Sequence, residues 1–158
     1  MSRRLEPELD TSFVDTLIGY NLRRAYLVIA RDFAQSLAGV DLGPVQFTIL
    51  TLIDANPGCT QNSIAKAIAI KRTNFVALLD GLEAQGLAER RPSPTDRRSH
   101  ALYLTRAGQA MLVDLKPRIS AHEQKFAAVM SSAEADVLRD LLVRLRRVGT
   151  DAADDTDI

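Results

Sequence analysis

Residues 59–108 read CTQNSIAKAIAIKRTNFVALLDGLEAQGLAERRPSPTDRRSHALYLTRAG, and this stretch contains the pattern that decides the fold. Its first half predicts a short helix over residues 61–70, with Thr60 as its N-cap. A second helix is predicted to open at Lys71 and to run to about residue 85. The apolar residues of this second helix recur at the i, i+3, i+4, i+7 spacing of one buried face, namely Phe75, Leu78, Leu79 and Leu82. Gly86 then provides the left-handed residue that commonly ends a helix.

Two short strands and a basic turn follow the second helix. Residues 87–90 and 101–104 have the composition of β-strands, and residues 93–96 between them are typical of a turn. Four arginines lie around this turn: Arg90, Arg91, Arg97 and Arg98. A helix with polar and basic residues at its N-terminus can enter the major groove of DNA, and a basic hairpin beside it can reach the next groove. The stretch therefore predicts a winged helix-turn-helix, in a fold that is mainly α with a small β wing.

The flanking sequence predicts further helices on both sides of the winged module. Residues 12–37 predict one long helix with two apolar stripes, which indicates contact with more than one neighbour. Pro44 suits the first turn of the next helix, which should end at Asn56. Thr105 is expected to cap another long helix. A last helix over residues 134–148 is predicted to turn one apolar face inward, made of Val137, Leu138, Leu141, Leu142 and Leu145.

At 158 residues the chain is long enough to bury a sizeable core as one domain. We expect that domain over residues 12–149, with the DNA-binding winged helix at about residues 42–105. Dimerisation helices are expected at about residues 12–38 and 106–148. Residues 1–11 are predicted to be a flexible N-terminus, and residues 150–158 an acidic, disordered tail.

Charge, cysteine count and hydropathy narrow the class of protein. The whole chain carries 20 basic and 20 acidic residues, but residues 1–149 carry 20 bases against 16 acids. Local clustering, not total charge, decides whether phosphates are attracted, so DNA is not excluded as a partner. The single cysteine, Cys59, excludes an intramolecular disulfide framework. Because no signal-like or long apolar segment is present, we expect a cytoplasmic protein without a membrane partner.

Several motifs resemble the MarR family of transcriptional regulators. The wing carries the most specific of them: Leu87-x-Glu89-Arg90-Arg91, Asp96-Arg97-Arg98-Ser99 and Leu102-Tyr103-Leu104-Thr105-x-x-Gly108. Two earlier motifs fit the same family: Leu42-x-Pro44-Val45-Gln46-Phe47 and Ser63-Ile64-Ala65. The resemblance covers roughly residues 14–147, in order and with comparable spacing. It implies a homodimer in which the first and the last two helices interlock.

The apolar faces of the predicted terminal helices agree with that implication, because one small lobe cannot cover them. Isologous pairing would hold two recognition helices about one DNA turn apart, which matches a pseudo-palindromic operator. The alternative is a monomer on which the terminal helices fold back.

Candidate DNA-contacting residues begin the two helices of the helix-turn-helix: Thr60, Gln61, Lys71, Arg72, Thr73 and Asn74. Two cations at a helix N-terminus oppose the helix dipole unless phosphates or base edges arrive there. Asn74 can pair with adenine, and Arg72 with guanine or a phosphate. At the wing, the resemblance implies that Arg98 enters the minor groove beside Arg97 while Asp96 braces the hairpin. The alternative for both sets is plain solvation.

The resemblance also implies a small-molecule cleft between the dimerisation helices and the winged module. Its usual ligands are aromatic acids, phenolics or related anions, and some similar regulators respond to aryl-CoA thioesters. Tyr20 could stack on such an effector while Arg23 and Arg24 hold its carboxylate. An intersubunit salt bridge explains these arginines equally well. Cys59 is expected to be inert rather than a redox switch, and one cysteine with two scattered histidines predicts neither a metal site nor a cofactor.

The leading prediction is a dimeric, ligand-responsive repressor. Its alternative is a winged-helix module that binds DNA or protein without responding to a ligand. An enzyme is not expected, because the sequence has no GxGxxG or P-loop and no placeable Ser-His-Asp grouping.

Overall fold

The computed structural model describes residues 9–92 and 100–150, which form seven helices and three short strands. The elements in chain order are α1 (Ser12–Asp15), α2 (Ile18–Ser36), α3 (Pro44–Ala55), β1 (Cys59–Thr60), α4 (Gln61–Ala67), α5 (Arg72–Ala84), β2 (Ala88–Pro92), β3 (His100–Leu104), α6 (Arg106–Ala127) and α7 (Ser132–Thr150). The predicted fold class, mainly α with a small β wing, is confirmed. We call the unit from α3 to β3 the winged-helix lobe, and α2 and α7 the terminal helices.

The prediction of a single long helix over residues 12–37 is wrong, because the helix is interrupted between α1 and α2. Leu17 has extended backbone angles, φ −87° and ψ 124°. The Thr16 hydroxyl donates to the Phe13 carbonyl at 2.7 Å. The Asn21 side-chain amide donates to the carbonyls of Asp15 and Leu17 at 2.8 and 2.9 Å. Short polar side chains that bond nearby carbonyls compete with helix continuation in this way.

The helix-turn-helix forms as predicted, except that α4 is shorter than expected. Its Thr60 cap is confirmed, since the hydroxyl oxygen accepts the Ser63 N–H at 3.1 Å. The helix ends at Ala67 instead of residue 70, because Ala69 adopts a left-handed φ of 54°. The N–H of Ile70 then reaches back to the Ala65 carbonyl at 3.1 Å. This is the usual hydrogen bond of a left-handed helix terminus, with alanine in the position that normally favours glycine.

The sheet is antiparallel, in the order β1–β3–β2, so β3 is its central strand. Leu102 lies opposite Cys59 on one side and Arg90 on the other. Strand β1 was not predicted, because two residues are too short to show alternation. Gly86 ends α5 with a φ of 68°, as predicted, and turns the chain into β2.

The core is concentrated in the winged-helix lobe and the first half of α6. Its largest fully buried side chains are Phe75, Ile49, Leu50, Ile53, Leu79, Leu82, Leu102, Leu112 and Leu115. The predicted inward face of the last helix is wrong for a single chain. Val137, Leu138, Leu141 and Leu145 are between 43% and 58% exposed.

The start of α6 is fixed tightly to the turn after α5. The Thr105 hydroxyl donates to the Gly86 carbonyl at 2.5 Å and accepts the Gly108 N–H at 3.1 Å. A Cβ on Gly108 would lie 2.0 Å from the Leu87 carbonyl oxygen, so only glycine allows this approach. The predicted Thr105 cap is therefore confirmed, and α6 begins in contact with the wing strand.

Candidate nucleic-acid interface and effector cavities

The N-terminus of α5 is exposed and carries two cations. Lys71 is the N-cap residue, makes no side-chain capping bond, and is followed by a first turn without an acidic residue. Arg72, Thr73 and Asn74 are exposed beside it. Within the described part of the chain, neither Lys71 nor Arg72 forms an ion pair. Free N–H groups and two cations at one helix end make a surface suited to a phosphate.

Thr60 and Gln61 lie at the N-terminus of α4. The Thr60 oxygen accepts the Ser63 N–H, while the Ser63 hydroxyl donates to the Thr60 carbonyl at 2.8 Å. Thr60 is exposed and Gln61 is half-buried. The capping bond uses the acceptor capacity of Thr60 and leaves its hydroxyl hydrogen available to a phosphate oxygen.

The arginines of β2 have partners inside the protein. Arg90, only 20% exposed, bonds both oxygens of Glu83 through its backbone N–H and guanidinium. Its other terminal nitrogen lies 2.7 Å from Asp80. The Arg91 guanidinium lies 4.4 Å from the centre of the Tyr103 ring and pairs with Glu89. Two members of the basic cluster therefore hold the wing together, and the other two, with Asp96, lie in residues 93–99, outside the described residues.

A cavity of 390 Å³ lies between α2 and α6, and we call it the cationic cavity. Its lining residues are Arg24, Leu27, Val28, Arg31, Asp32, Gln35, Lys125 and Phe126. Arg24 is a predicted ligand-binding residue, and its guanidinium reaches the Tyr20 hydroxyl at 3.4 Å. Tyr20 and Arg23 are not among the lining residues. The structure therefore brings Arg24 and Tyr20 together and leaves Arg23 exposed on the helix.

A second cavity, of 510 Å³, shares Val28 and Phe126 with the cationic cavity. We call it the apolar cavity, because most of its lining is aliphatic: Ala25, Ile29, Ala127, Val129, Met130, Ala135, Leu138 and Leu142. It extends between α2, α6 and α7. The two cavities place an apolar space directly beside a cationic one.

The half-buried Asp32 pairs with the buried His122 at the edge of the cationic cavity. The His122 side chain is fully buried, and its Nδ1 lies 2.8 Å from Asp32 Oδ1. The other Asp32 oxygen bonds the Lys125 ammonium group. Hydrogen bonds from Lys125 and then from His122 lower the pKa of Asp32, so this carboxylate stays ionised.

The sequence did not predict this cluster. Arg24, Val28 and Arg31 follow helical spacing along α2, so their shared face was visible in the sequence. Lys125 and His122 lie about 90 residues further on, and only the packing of α6 against α2 brings them to Asp32.

Cys59 is half-buried in β1, and burial raises the pKa of its thiol. A raised pKa leaves less of the reactive thiolate near neutral pH, which favours the inert role over a redox switch. In the segments that the structure describes, no three His, Cys, Asp or Glu side chains are grouped as a metal site. None of the described helices combines the length and the apolar character that crossing a bilayer requires.

The fold and the exposed basic end of α5 define a winged helix-turn-helix regulator, and comparison with known proteins identifies its family. The MarR family profile matches residues 40–99. A putative transcriptional regulatory protein for the hcr operon of Thauera aromatica is 34% identical over 131 residues, which are 82% of this chain and 79% of that protein. The chain belongs to the MarR family, which confirms the resemblance seen in the sequence.

Solved structures give the same result. The transcriptional repressor CouR bound to a 23-mer DNA duplex is 42% identical with a TM-score of 0.84, over 89% of this chain and 99% of that one. CouR bound to p-coumaroyl-CoA is 40% identical with a TM-score of 0.79, over 89% and 99% of the two chains. The protein is a DNA-binding transcriptional regulator.

Proposed function

We propose that this regulator is a homodimeric repressor that an aryl-CoA thioester releases from a pseudo-palindromic operator. The observation that carries the proposal is the pair of adjoining cavities. An aryl-CoA ligand combines an apolar ring with several phosphates, and the apolar and cationic cavities provide complementary surfaces side by side. The similar repressor CouR is known in complexes with DNA and with p-coumaroyl-CoA, which supports both halves of the proposal.

In the proposed complex Arg24, Arg31 and Lys125 bind the anionic part of the ligand. Tyr20 supports Arg24, with which it is in contact. Arg23 is assigned to the outer rim, where it is exposed. The ring occupies the apolar cavity beside Phe126, which borders both spaces.

For operator binding we propose that α5 enters the major groove, with Asn74 and Arg72 at base edges or phosphates and with Lys71 and Thr73 at the backbone. Thr60 and Gln61 contact a neighbouring phosphate. Arg97 and Arg98, braced by Asp96, reach the minor groove from the wing. The exposed first turn of α5 and its two cations support this assignment.

The exposed apolar faces of the terminal helices support the homodimer. Leu22, Leu141 and Leu145 are all more than 40% exposed in one chain, although each belongs to an amphipathic helix. A second copy of the chain would remove these faces from water. We further propose that the protein works by binding, without catalysis, in the cytoplasm that contains its operator.

The test is a fluorescence-anisotropy titration of DNA upstream of the protein's own gene, with a pool of random duplexes as a second probe. We expect p-coumaroyl-CoA to lower operator affinity about tenfold or more, within the usual range of coupling between sites. Free p-coumarate and CoA each fill one cavity only and should act at much higher concentrations. A repressor that binds specifically but ignores all three compounds would contradict the ligand class.

Substitutions in the cationic cavity test whether its side chains bind the anionic part of the ligand. Arg31→Gln and Lys125→Gln should weaken the response to p-coumaroyl-CoA, and Arg31→Gln should leave ligand-free operator affinity unchanged. Lys116→Gln is the matched control, because Lys116 is also on α6 but pairs with Asp54 at 2.6 Å and lines neither cavity. An equal loss of response in all three variants would argue against the cationic cavity as the anion site.

A further inference from the structure

Among the described residues, His122 is the one fully buried ionisable side chain that the proposed function leaves unused. Its ring lies between Phe33 and Phe126, with ring-centre distances of 5.3 and 5.0 Å. Nδ1 faces Asp32, whereas Nε2 is buried without a hydrogen-bond partner in the described part of the chain. An unpaired buried nitrogen is costly, so its presence calls for a physical account.

The charged groups around His122 come from two helices. Asp32 on α2 is the nearest, and Glu123 on α6 has an oxygen 3.8 Å from Nε2. Lys125 on α6 bonds the second oxygen of Asp32. Arg118, one turn earlier on α6, is engaged by Asp114 and by the Ala38 carbonyl. The contact with α3 runs through Phe33 and Phe47 and is apolar.

Asp32 is therefore shared between a permanent cation and a ring that can gain a proton. A carboxylate beside an imidazole favours the charged form of the ring, and a cation on the same carboxylate opposes it. Lys125 offsets the carboxylate as long as it stays on Asp32. In the tautomer that carries its hydrogen on Nδ1, the ring donates to Asp32, and the Nε2 lone pair faces no donor among the described residues.

We propose that His122 takes up a proton when an anionic ligand group in the cationic cavity draws Lys125 away from Asp32. The proton comes from solvent and binds at Nε2, where Glu123 can then accept a hydrogen bond. Asp32 keeps the Nδ1 bond and exchanges its ammonium partner for an imidazolium. Effector binding is thereby coupled to a charge change inside the protein. The ligand part of this inference rests on the proposed function, but the exchange at Asp32 does not.

The position of His122 connects this exchange to the winged-helix lobe. Phe33 contacts the His122 ring on one side and the Phe47 ring on the other, at 5.8 Å between the two phenylalanine ring centres. Phe47 belongs to the buried core of the lobe. A change of charge and hydration at His122 therefore occurs where α2, α3 and α6 meet, which is a physical route from the cavity to the DNA-contacting helices.

The first experiment needs no ligand. Imidazole carbon–hydrogen NMR signals are followed against pH in the dimeric wild-type protein and in Lys125→Met, and His122→Gln assigns the two histidines. Removing Lys125 imitates its capture by an anion. We expect the midpoint of His122 to rise by about one pH unit, the lower end of the effect of one nearby charge. The exposed His100 should not move, and neither midpoint should move in Lys116→Met. An unchanged His122 midpoint in Lys125→Met overturns the proposal.

The second experiment measures proton uptake on binding. Titration calorimetry with p-coumaroyl-CoA is run in buffers of different ionisation enthalpy, near the midpoint of His122. We expect uptake of part of a proton, and affinity that rises as pH falls, by at most about tenfold per pH unit for one proton. His122→Gln should lose both effects. Equal uptake in wild type and His122→Gln contradicts the proposal. If p-coumaroyl-CoA does not bind at all, the proposed ligand class fails, while the NMR titration still decides the role of His122.

Discussion

The winged-helix lobe and the terminal helices both have apolar faces but complete their packing differently. Helix α3 buries Phe47, Ile49, Leu50 and Ile53 inside one chain. Helix α2, all of which the structure describes, buries no residue, although it is strongly amphipathic. The lobe closes its own core, whereas the terminal helices leave an apolar face open. The difference shows that amphipathic spacing identifies a face that must be buried but does not say which chain buries it.

The largest predicted effect tests the open face directly. Leu141→Asp places a charge on the exposed apolar side of α7, where Leu141 is 44% exposed. We expect dissociation to monomers in sedimentation experiments and a loss of operator affinity of about a hundredfold or more, because two linked half-sites are no longer bound together. The lobe should remain folded by circular dichroism.

Val113→Asp is the matched control for that change, because Val113 is an apolar residue on α6 that is 74% exposed. It lines neither cavity. We expect the Val113→Asp protein to remain a dimer. A Leu141→Asp protein that stays dimeric would contradict the assignment of the face.

The second prediction tests how closely the lobe is packed. Gly108→Ala puts a methyl group against the Leu87 carbonyl and should cost about 3 kcal/mol, the upper end for overpacking. The measurement is the urea midpoint at constant slope. Gly19→Ala in α2 is the comparison, because its added Cβ meets no described atom within 4 Å in one chain. It should be neutral or stabilising by about 0.5 kcal/mol, from helix propensity. If Gly19→Ala instead weakens the dimer, a partner helix approaches closely at that position.

The third prediction separates residues that hold the lobe together from residues that bind DNA. Arg90→Gln breaks the ion pairs with Asp80 and Glu83 and lets the wing strand shift against α5. We expect operator affinity to fall about tenfold while the slope of log affinity against log salt stays constant. Arg72→Gln should lower both the affinity and the slope, the latter by about one unit for each phosphate that is no longer neutralised. A reduced slope for Arg90→Gln would show that Arg90 binds phosphate after all.

The smallest predicted effect concerns the turn between α4 and α5. Ala69 holds a φ of 54°, which costs a residue with a Cβ about 1 kcal/mol. Ala69→Gly should therefore stabilise the lobe by up to that amount, measured as an increase in the temperature of unfolding. The gain is reduced because glycine also loses more backbone entropy on folding. Ala67→Gly, two residues earlier within α4, should destabilise by a similar amount.

Local chemistry explains which parts of the fold were predictable from the sequence. Thr60, Gly86 and Thr105 act within a few residues of themselves, so their roles as caps were predictable. The interruption of the helix at Leu17 depends on several hydrogen bonds that no single residue predicts. Strand β1 exists only because β3 pairs with it.

The candidate site divides in the same way. The exposed basic end of α5 could be read from the sequence, because charge and helix position are local properties. The partners of Arg90 and the Asp32–Lys125–His122 cluster could not, because helical spacing gives a face and not the neighbour that packs on it. From the sequence, Arg90 is therefore grouped with the arginines that attract DNA, whereas in the structure it pairs with Asp80 and Glu83.

The attachment of α6 at Thr105 and Gly108 has a mechanical consequence. Its 22 residues, which include Pro117, span about 33 Å at 1.5 Å per residue. One end is fastened beside the C-terminus of α5, and the other end carries His122 and the cavity walls. If α6 rotates about its fastened end, a tilt of about 5° moves the far end by about 3 Å over that length. A displacement of a few ångströms at the cavities therefore corresponds to a small rotation at α5. A dimer that must contact two grooves of a stiff duplex is sensitive to rotations of that size.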